Sequence, residues 1–184
     1  AELFHLIQLC ALYAHTYQSK PHVHIPFLPY GRQDKSISNE TTFAKSVFID
    51  LLKPYTSCIT TLDVHSHDDD IVSISPSLEI SNTIKTCNPD VICFPDLGAA
   101  NRNYYTQGLP VVILDKKRDQ ATGEILGLEF LRQKGINHNF IVNDSKILII
   151  DDITDGGRTF TEACKLLKHI GAKEVYLYTT HGIY

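Results

Sequence analysis

Methionine is absent from this chain, at position 1 and everywhere else along its 184 residues. The chain opens directly on a helical pattern and stops just after a strand-like segment, so it reads as truncated at both ends. No apolar run approaches the roughly 20 residues that a membrane-spanning helix needs, and no secretory leader is visible. A cytoplasmic protein without a membrane partner is the expectation. Excess positive charge is lacking too. The formal net charge is −4, which leaves no global basic field for nucleic acid or an anionic membrane. Any phosphorylated ligand must therefore be held by local groups. The five cysteines, at 10, 58, 87, 93 and 164, form no Cys-x-x-Cys pair and are odd in number. They lie mostly in apolar segments and read as reduced thiols rather than a disulfide framework or a structural zinc site.

What is present alternates between short apolar runs and amphipathic segments. A hydrophobic content of 43% and a charged content of 21% are those of a globular protein, and the length suits one large domain or two small α/β halves. Leu3, Phe4, Ile7, Cys10, Ala11 and Ala14 recur at helical spacing. His22–Leu28 reads as a strand closed by Pro29, Gly31–Asn39 as a polar loop, and Phe43, Val47, Phe48 and Leu51 as a helix capped by Asn39 or Thr41. Cys58–Val64 reads as a strand ending in His65-Ser66-His67. The run Asp68-Asp69-Asp70 reads as the turn between an N-terminal half, 1–70, and a C-terminal half, 71–184. The second half repeats the pattern. It carries a helix over Leu78–Cys87, a strand over Val91–Phe94, a helix opened by Asp96 and Gly98, and a strand over Val111–Leu114. A charged loop over Asp115–Gly123, a strand over Lys146–Ile150, a helix over Thr159–Ile170 with Gly171 at its C′ position, and a strand over Val175–Thr179 complete it. The stretch Ile125–Val142 follows no clear period and leaves a hairpin open. Such alternation implies mainly parallel sheets covered by helices on both faces, with ligand sites at the carboxyl ends of the strands. Asp63 and His65, Asp96, Lys116 and Arg118, and Asp151 and Asp152 all fall at those ends.

The richest segment is Ile149-Ile150-Asp151-Asp152-Ile153-Thr154-Asp155-Gly156-Gly157-Arg158-Thr159. It reads as a buried strand, two carboxylates, a glycine turn and a helix. The turn offers backbone N–H groups and the Thr159 hydroxyl to an anion, and the helix dipole adds to them. The carboxylates would repel phosphate and suit ribose hydroxyls or a metal–pyrophosphate. An ordinary βα turn with an acidic start is the competing reading, which the paired Asp and the Asp155…Thr159 spacing weaken. Arg32-Gln33-Asp34 offers a bidentate anion contact and an amide for a base or sugar, although taken alone it reads more readily as a surface loop. His65 and His67, two apart on a strand end, face the same way; a metal or phosphate contact and a capped strand end with one solvated His are equally open, and Asp63 on that face singles out His65 as the functional one. Asp115-Lys116-Lys117-Arg118-Asp119 is either a solvated loop or a cationic arm over a reacting phosphoryl group. Asp96 places a carboxylate at a helix N-terminus, where a bare N-cap with no other role and a functional carboxylate are equally open.

Taken together these motifs resemble the ribose-phosphate pyrophosphokinase family. Pro29-Tyr30-Gly31-Arg32-Gln33-Asp34 resembles its Tyr-x-Arg-Gln-Asp stretch, which contacts ATP. Leu62-Asp63-Val64-His65-Ser66 is similar to its Asp-Leu-His-Ala segment, and Pro95-Asp96-Leu97-Gly98 to its Pro-Asp-x-Gly. The resemblance implies that His65 and Asp96 hold magnesium. It also implies that Lys116 and Arg118 belong to a catalytic loop that stabilises the transferring diphosphoryl group. Asp151, Asp152, Asp155, Gly156, Gly157, Arg158 and Thr159 match its ribose-5-phosphate loop, and Thr180-His181-Gly182 its end-of-strand pattern. The implied fold is two type I phosphoribosyltransferase-like, Rossmann-like halves. The implied activity transfers the diphosphoryl group of ATP to the 1-hydroxyl of ribose 5-phosphate in a homo-oligomer. A phosphoribosyltransferase that consumes phosphoribosyl pyrophosphate, and a non-catalytic regulatory subunit, are the alternatives. The departures from the family are at Gly156, where a Thr hydroxyl is usual, and at Arg158, where a small glycine is usual.

Overall fold

The computed structural model of the chain describes residues 2–34, 43–118, 125–131 and 141–183. They form two compact units, Ala1–Ser75 and Pro76–Tyr184. The division follows Ser75 rather than Asp70, because the strand after the Asp68–Asp70 turn pairs into the first unit's sheet.

The first unit runs α1 (Glu2–Tyr17), β1 (His22–His24), α2 (Ala44–Leu52), a 3-10 turn (Lys53–Tyr55), β2 (Cys58–Leu62) and β3 (Ile71–Ile74). Its three strands are parallel, in the order β1-β2-β3. β1 is shorter than the expected His22–Leu28 because Pro26 has no N–H to continue the ladder. Its neighbour Ile25 still donates to the Thr60 carbonyl at 2.8 Å. β2 stops at Leu62 because Asp63 takes a left-handed backbone, φ 49°, so the period-two argument for Asp63, His65 and His67 does not apply. Leu28, Phe48, Ile49, Leu52, Ile59 and Ile71 form the core, with Leu3, Leu6 and Ile7 of α1 against it.

The second unit runs α3 (Ser77–Cys87), β4 (Val91–Phe94), α4 (Leu97–Ala100), β5 (Val111–Arg118), β6 (Ile125–Phe130), β7 (Lys146–Asp155), α5 (Arg158–His169) and β8 (Glu174–Ile183). The sheet order is β6-β5-β4-β7-β8, parallel throughout except for the antiparallel pair β5 and β6. The mixed α/β fold with mainly parallel sheets is therefore as expected. Every residue of β4 is buried, as a central parallel strand requires. Its side chains alternate between two core layers. Val91 and Cys93 join Ile147, Ile149, Phe160, Ala163 and Leu167 on the α5 face, while Ile92 and Phe94 join Leu148, Ile150, Ile80 and Ile84 on the α3 face. Each fully buried Ile or Leu contributes roughly 2 kcal/mol by leaving water.

Local chemistry fixes the element ends. Asn88, at φ 44°, closes α3 and donates its N–H to the Ile84 carbonyl at 2.8 Å. Gly171 follows α5 at φ 101°, where a Cβ would sit 2.4 Å from the Asn143 amide oxygen, so only glycine fits. At the amino end of the sheet, the Asp90 N–H donates to the Lys146 carbonyl at 2.8 Å. The Lys146 N–H in turn donates to the Asp90 carboxylate at 2.8 Å. This two-way clasp joins the starts of β4 and β7.

Two strands outrun the expectation. β5 continues through Asp115-Lys116-Lys117-Arg118, so these residues are strand and not loop. The cause is β6, whose Glu129, Leu128, Gly127 and Ile125 pair with them in an antiparallel hairpin. β7 continues through Asp151 to Asp155 because β8 keeps pairing with it, from Asp151 with Thr179 to Asp155 with Ile183. The expected loop residues Asp119–Gly123 and half of Ile125–Val142, residues 132–140, lie outside the described residues.

Candidate active site

The carboxyl ends of β4 and β7 are adjacent, since Cys93 pairs with Ile149, and each ends in acid. On the β4 side, Asp96 is an extended residue that caps α4, its Oδ1 accepting the Ala99 N–H at 2.9 Å. A Cβ on Gly98 would lie 3.0 Å from that same oxygen, so glycine suits the close approach of the cap. On the β7 side, Asp151 turns its Oδ1 back to accept the Asp152 N–H at 2.9 Å. Burial pushes the Asp151 carboxyl up to about 7, helped by the neighbouring Asp152 and, more weakly, by the charge of Asp96.

Asp152 is buried and meets a cation that the sequence reading missed. Arg102, just beyond α4, places Nη1 3.5 Å from Asp152 Oδ2. Its Nε donates to the Tyr104 hydroxyl at 2.6 Å, and its guanidinium lies 5.5 Å from the centre of the Tyr104 ring. The available signal was that Arg102 is the single cation between Lys85 and Lys116, set beside the Pro95-Asp96-x-Gly98 motif.

Beyond the Asp pair, β7 leads into a turn built by two left-handed glycines, Gly156 at φ 61° and Gly157 at φ 68°. The Gly157 N–H donates to the Asp155 carbonyl at 2.7 Å, and its own carbonyl accepts the Thr161 N–H at 3.0 Å. Gly157 is the N-cap of α5 and no side chain caps that end. The first-turn N–H groups around Arg158 and Thr159 thus face an uncapped helix terminus, where an anion is favoured. A Cβ built on either glycine meets nothing within 4 Å, so the space over the turn is open. Arg158 is exposed at the first helical position. Lys116 and Arg118 lie on β5, opposite Leu128 and Ile125 of β6.

In the first unit, Arg32, Gln33 and Asp34 form a turn after Pro29. Tyr30 is left-handed at φ 61° and its carbonyl accepts the Gln33 N–H at 2.8 Å. A cavity of about 700 Å³, lined by Leu3, Leu6, Ile25, Pro29, Tyr30 and Phe48 among others, adjoins that turn. His65 is exposed in the loop after β2.

The acids of the second unit suit a hard cation, since carboxylate oxygens are the donors that magnesium prefers. Three carboxylates, Asp96, Asp151 and Asp152, gather at one edge, and Arg102 pairs with Asp152. Among the described residues no three His, Cys, Asp or Glu side chains converge to cage a metal. An ion shared with substrate phosphates fits this, because magnesium keeps few protein ligands. All five cysteines are free thiols. Cys93, wholly buried, has its thiol pushed up by that burial and is inert as a nucleophile.

The phosphoribosyl transferase domain model matches residues 88–182, just over half of the 184-residue chain. The chain belongs to the phosphoribosyl transferase family. The β7 turn and the acidic strand ends described above all lie within that phosphoribosyl transferase match. The resemblance to ribose-phosphate pyrophosphokinases also holds. The chain is 29% identical to that of Pyrococcus abyssi over 170 residues, covering 87% of this chain and 56% of the relative. It is 29% identical to that of Clostridium perfringens over 178 residues, covering 86% of this chain and 52% of the relative. The phosphoribosylpyrophosphate synthetase of Mycobacterium smegmatis shares the fold, with a TM-score of 0.75 at 23% identity over 98% of this chain and 60% of that one. The chain spans between half and three-fifths of the length of these relatives.

Proposed function

We propose that the protein is a ribose-phosphate diphosphokinase, which transfers the diphosphoryl group of ATP to the 1-hydroxyl of ribose 5-phosphate and releases AMP. One observation carries the reading. The likeness to ribose-phosphate pyrophosphokinases covers 87% of the chain, whereas the transferase model covers only residues 88–182. A transferase that merely consumes the diphosphate has no evident need of the Arg32–Asp34 turn.

The residues divide the work. The Gly156–Thr159 turn and the start of α5 hold the 5-phosphate, with Arg158 as an added cation. Asp151 accepts from the ribose hydroxyls, and Asp152, neutralised by Arg102, keeps the strand end in place. Arg32, Gln33 and Asp34 bind ATP. Lys116 and Arg118 stabilise the charge on the transferring group, a role that needs no covalent intermediate. His65 and Asp96, each in its own unit, are the proposed magnesium contacts, and the ion when bound would supply positive charge to offset that of the phosphates. Self-association into a homo-oligomer and a cytoplasmic site of action belong to the same reading. No described helix is long and apolar enough to cross a membrane.

The test is AMP formation by the full-length protein with ATP, magnesium and ribose 5-phosphate, omitting each in turn. AMP only when all three are present is the expected result. Ribose 5-phosphate binding without AMP would turn the reading toward a regulatory subunit, which the Gly156 and Arg158 departures favour. Base-dependent release of pyrophosphate from phosphoribosyl pyrophosphate would turn it toward a transferase.

A further inference from the structure

Lys45 is a cation on the core side of its helix. α2 turns Lys45 inward with Phe48, Ile49 and Leu52, and leaves Lys45 5% exposed. A buried ammonium is costly unless its donors are met, and here each finds the same loop. Nζ donates to the Ser66 hydroxyl at 3.0 Å, to the Ser66 carbonyl at 3.3 Å and to the His67 carbonyl at 3.5 Å. It also lies 3.2 Å from Asp68 Oδ2. The other Asp68 oxygen accepts the Asp70 N–H at 3.1 Å, so Asp68 is itself fixed. At the opposite end of the residue, the Lys45 main-chain N–H donates to the Gln33 carbonyl at 3.4 Å.

One residue therefore fastens two loops, the turn of Arg32, Gln33 and Asp34 and the segment that carries His65. Packing alone does not call for this. An aliphatic side chain would fill the same core position without the burial cost of a charge. We propose that Lys45 is a positioning residue, which holds the His65 loop in register with the Arg32–Asp34 turn so that both address one nucleotide. The inference rests on the diphosphokinase reading for the identity of that nucleotide.

The test uses the full-length protein with Lys45→Met, Lys45→Arg and Asp68→Asn, and measures kcat and KM for each substrate. Lys45→Met raises the KM for ATP about tenfold and leaves that for ribose 5-phosphate within about twofold, a split that a general loss of fold does not give. Lys45→Arg recovers part of the effect. Asp68→Asn keeps the shape of the loop and carries the test if Lys45→Met does not fold; it gives a smaller shift in the same direction. Equal losses for both substrates, or a lowered Tm with both KM values unchanged, overturn the proposal. If the wild type forms no AMP, the functional reading falls by itself. The positioning role is then judged from the His65 ring resonances of the ligand-free protein. Their movement in Asp68→Asn upholds it and their constancy overturns it.

Discussion

Arg102 and Asp152 form an enclosed ion pair that joins the loop after α4 to the strand end of β7, with their side chains only 13% and 6% exposed. Removing one member leaves the other charge buried without this counter-charge. Arg102→Met is expected to destabilise the second unit by about 3 kcal/mol or more, lowering Tm by on the order of 10 °C. Thermal unfolding of the variant beside Asp152→Asn and the double variant measures the coupling. Strictly additive losses would mean that the two side chains do not sense each other.

The Asp151 carboxyl gives a pH signature. Burial lifts it from 3.8 to about 7, so the folded protein keeps a proton that the unfolded chain has lost. The stability this group contributes is fully present below about pH 4 and is lost as pH rises through about 7, by at most roughly 4 kcal/mol. Asp151→Asn is expected to remove that slope and to raise the urea midpoint at pH 8 but not at pH 4. Parallel curves for the two proteins between pH 4 and pH 8 would contradict it.

The turn before α5 supplies a third test. Gly157 at φ 68° has open space around a would-be Cβ, so Gly157→Ala meets only backbone strain of about 1–2 kcal/mol. Calorimetry is expected to show weaker ribose 5-phosphate binding, with Gly157→Asn milder because asparagine tolerates the left-handed region. Arg158→Ala should cost about tenfold in the same affinity and flatten its salt dependence. Tighter binding by the alanine variant would mean that Arg158 crowds the phosphate.

Lys116→Ala addresses the transfer step. On the diphosphokinase proposal, loss of this cation is expected to lower kcat by about a hundredfold or more with little change in either KM. Turnover within a few fold of wild type would be inconsistent with a role for Lys116 in the chemistry.

Much of the fold was legible because it is written in periodicity. The helix ending before Gly171 and the all-apolar β4 both follow from local residue order. Strand length was not, since it depends on partners. Asp115–Arg118 carries too much charge to look like strand, and becomes strand only because β6 returns alongside it. Asp151–Asp155 is extended by β8 in the same way, while β2 is cut short by the backbone of Asp63. Of the site, the acids and glycines could be read from motif spacing, but their counter-charges could not. Arg102 meets Asp152 across a long stretch of chain, and Lys45 sits on a helix face whose neighbours are apolar. Neither has a local pattern to announce it.

The clasp between Asp90 and Lys146 acts as a gauge for distant parts. A strand advances about 3.3 Å per residue, and a slip of one residue between β4 and β7 would turn every side chain of one strand to the other face. Asp96 and Asp152 would then no longer meet at one edge, and Arg102 would lose its place beside Asp152. An exposed carboxylate at the opposite margin of the sheet thus sets the calibration of a site it never touches. A variant at Asp90 would be read first as a protein with misplaced acids and only second as a weaker fold.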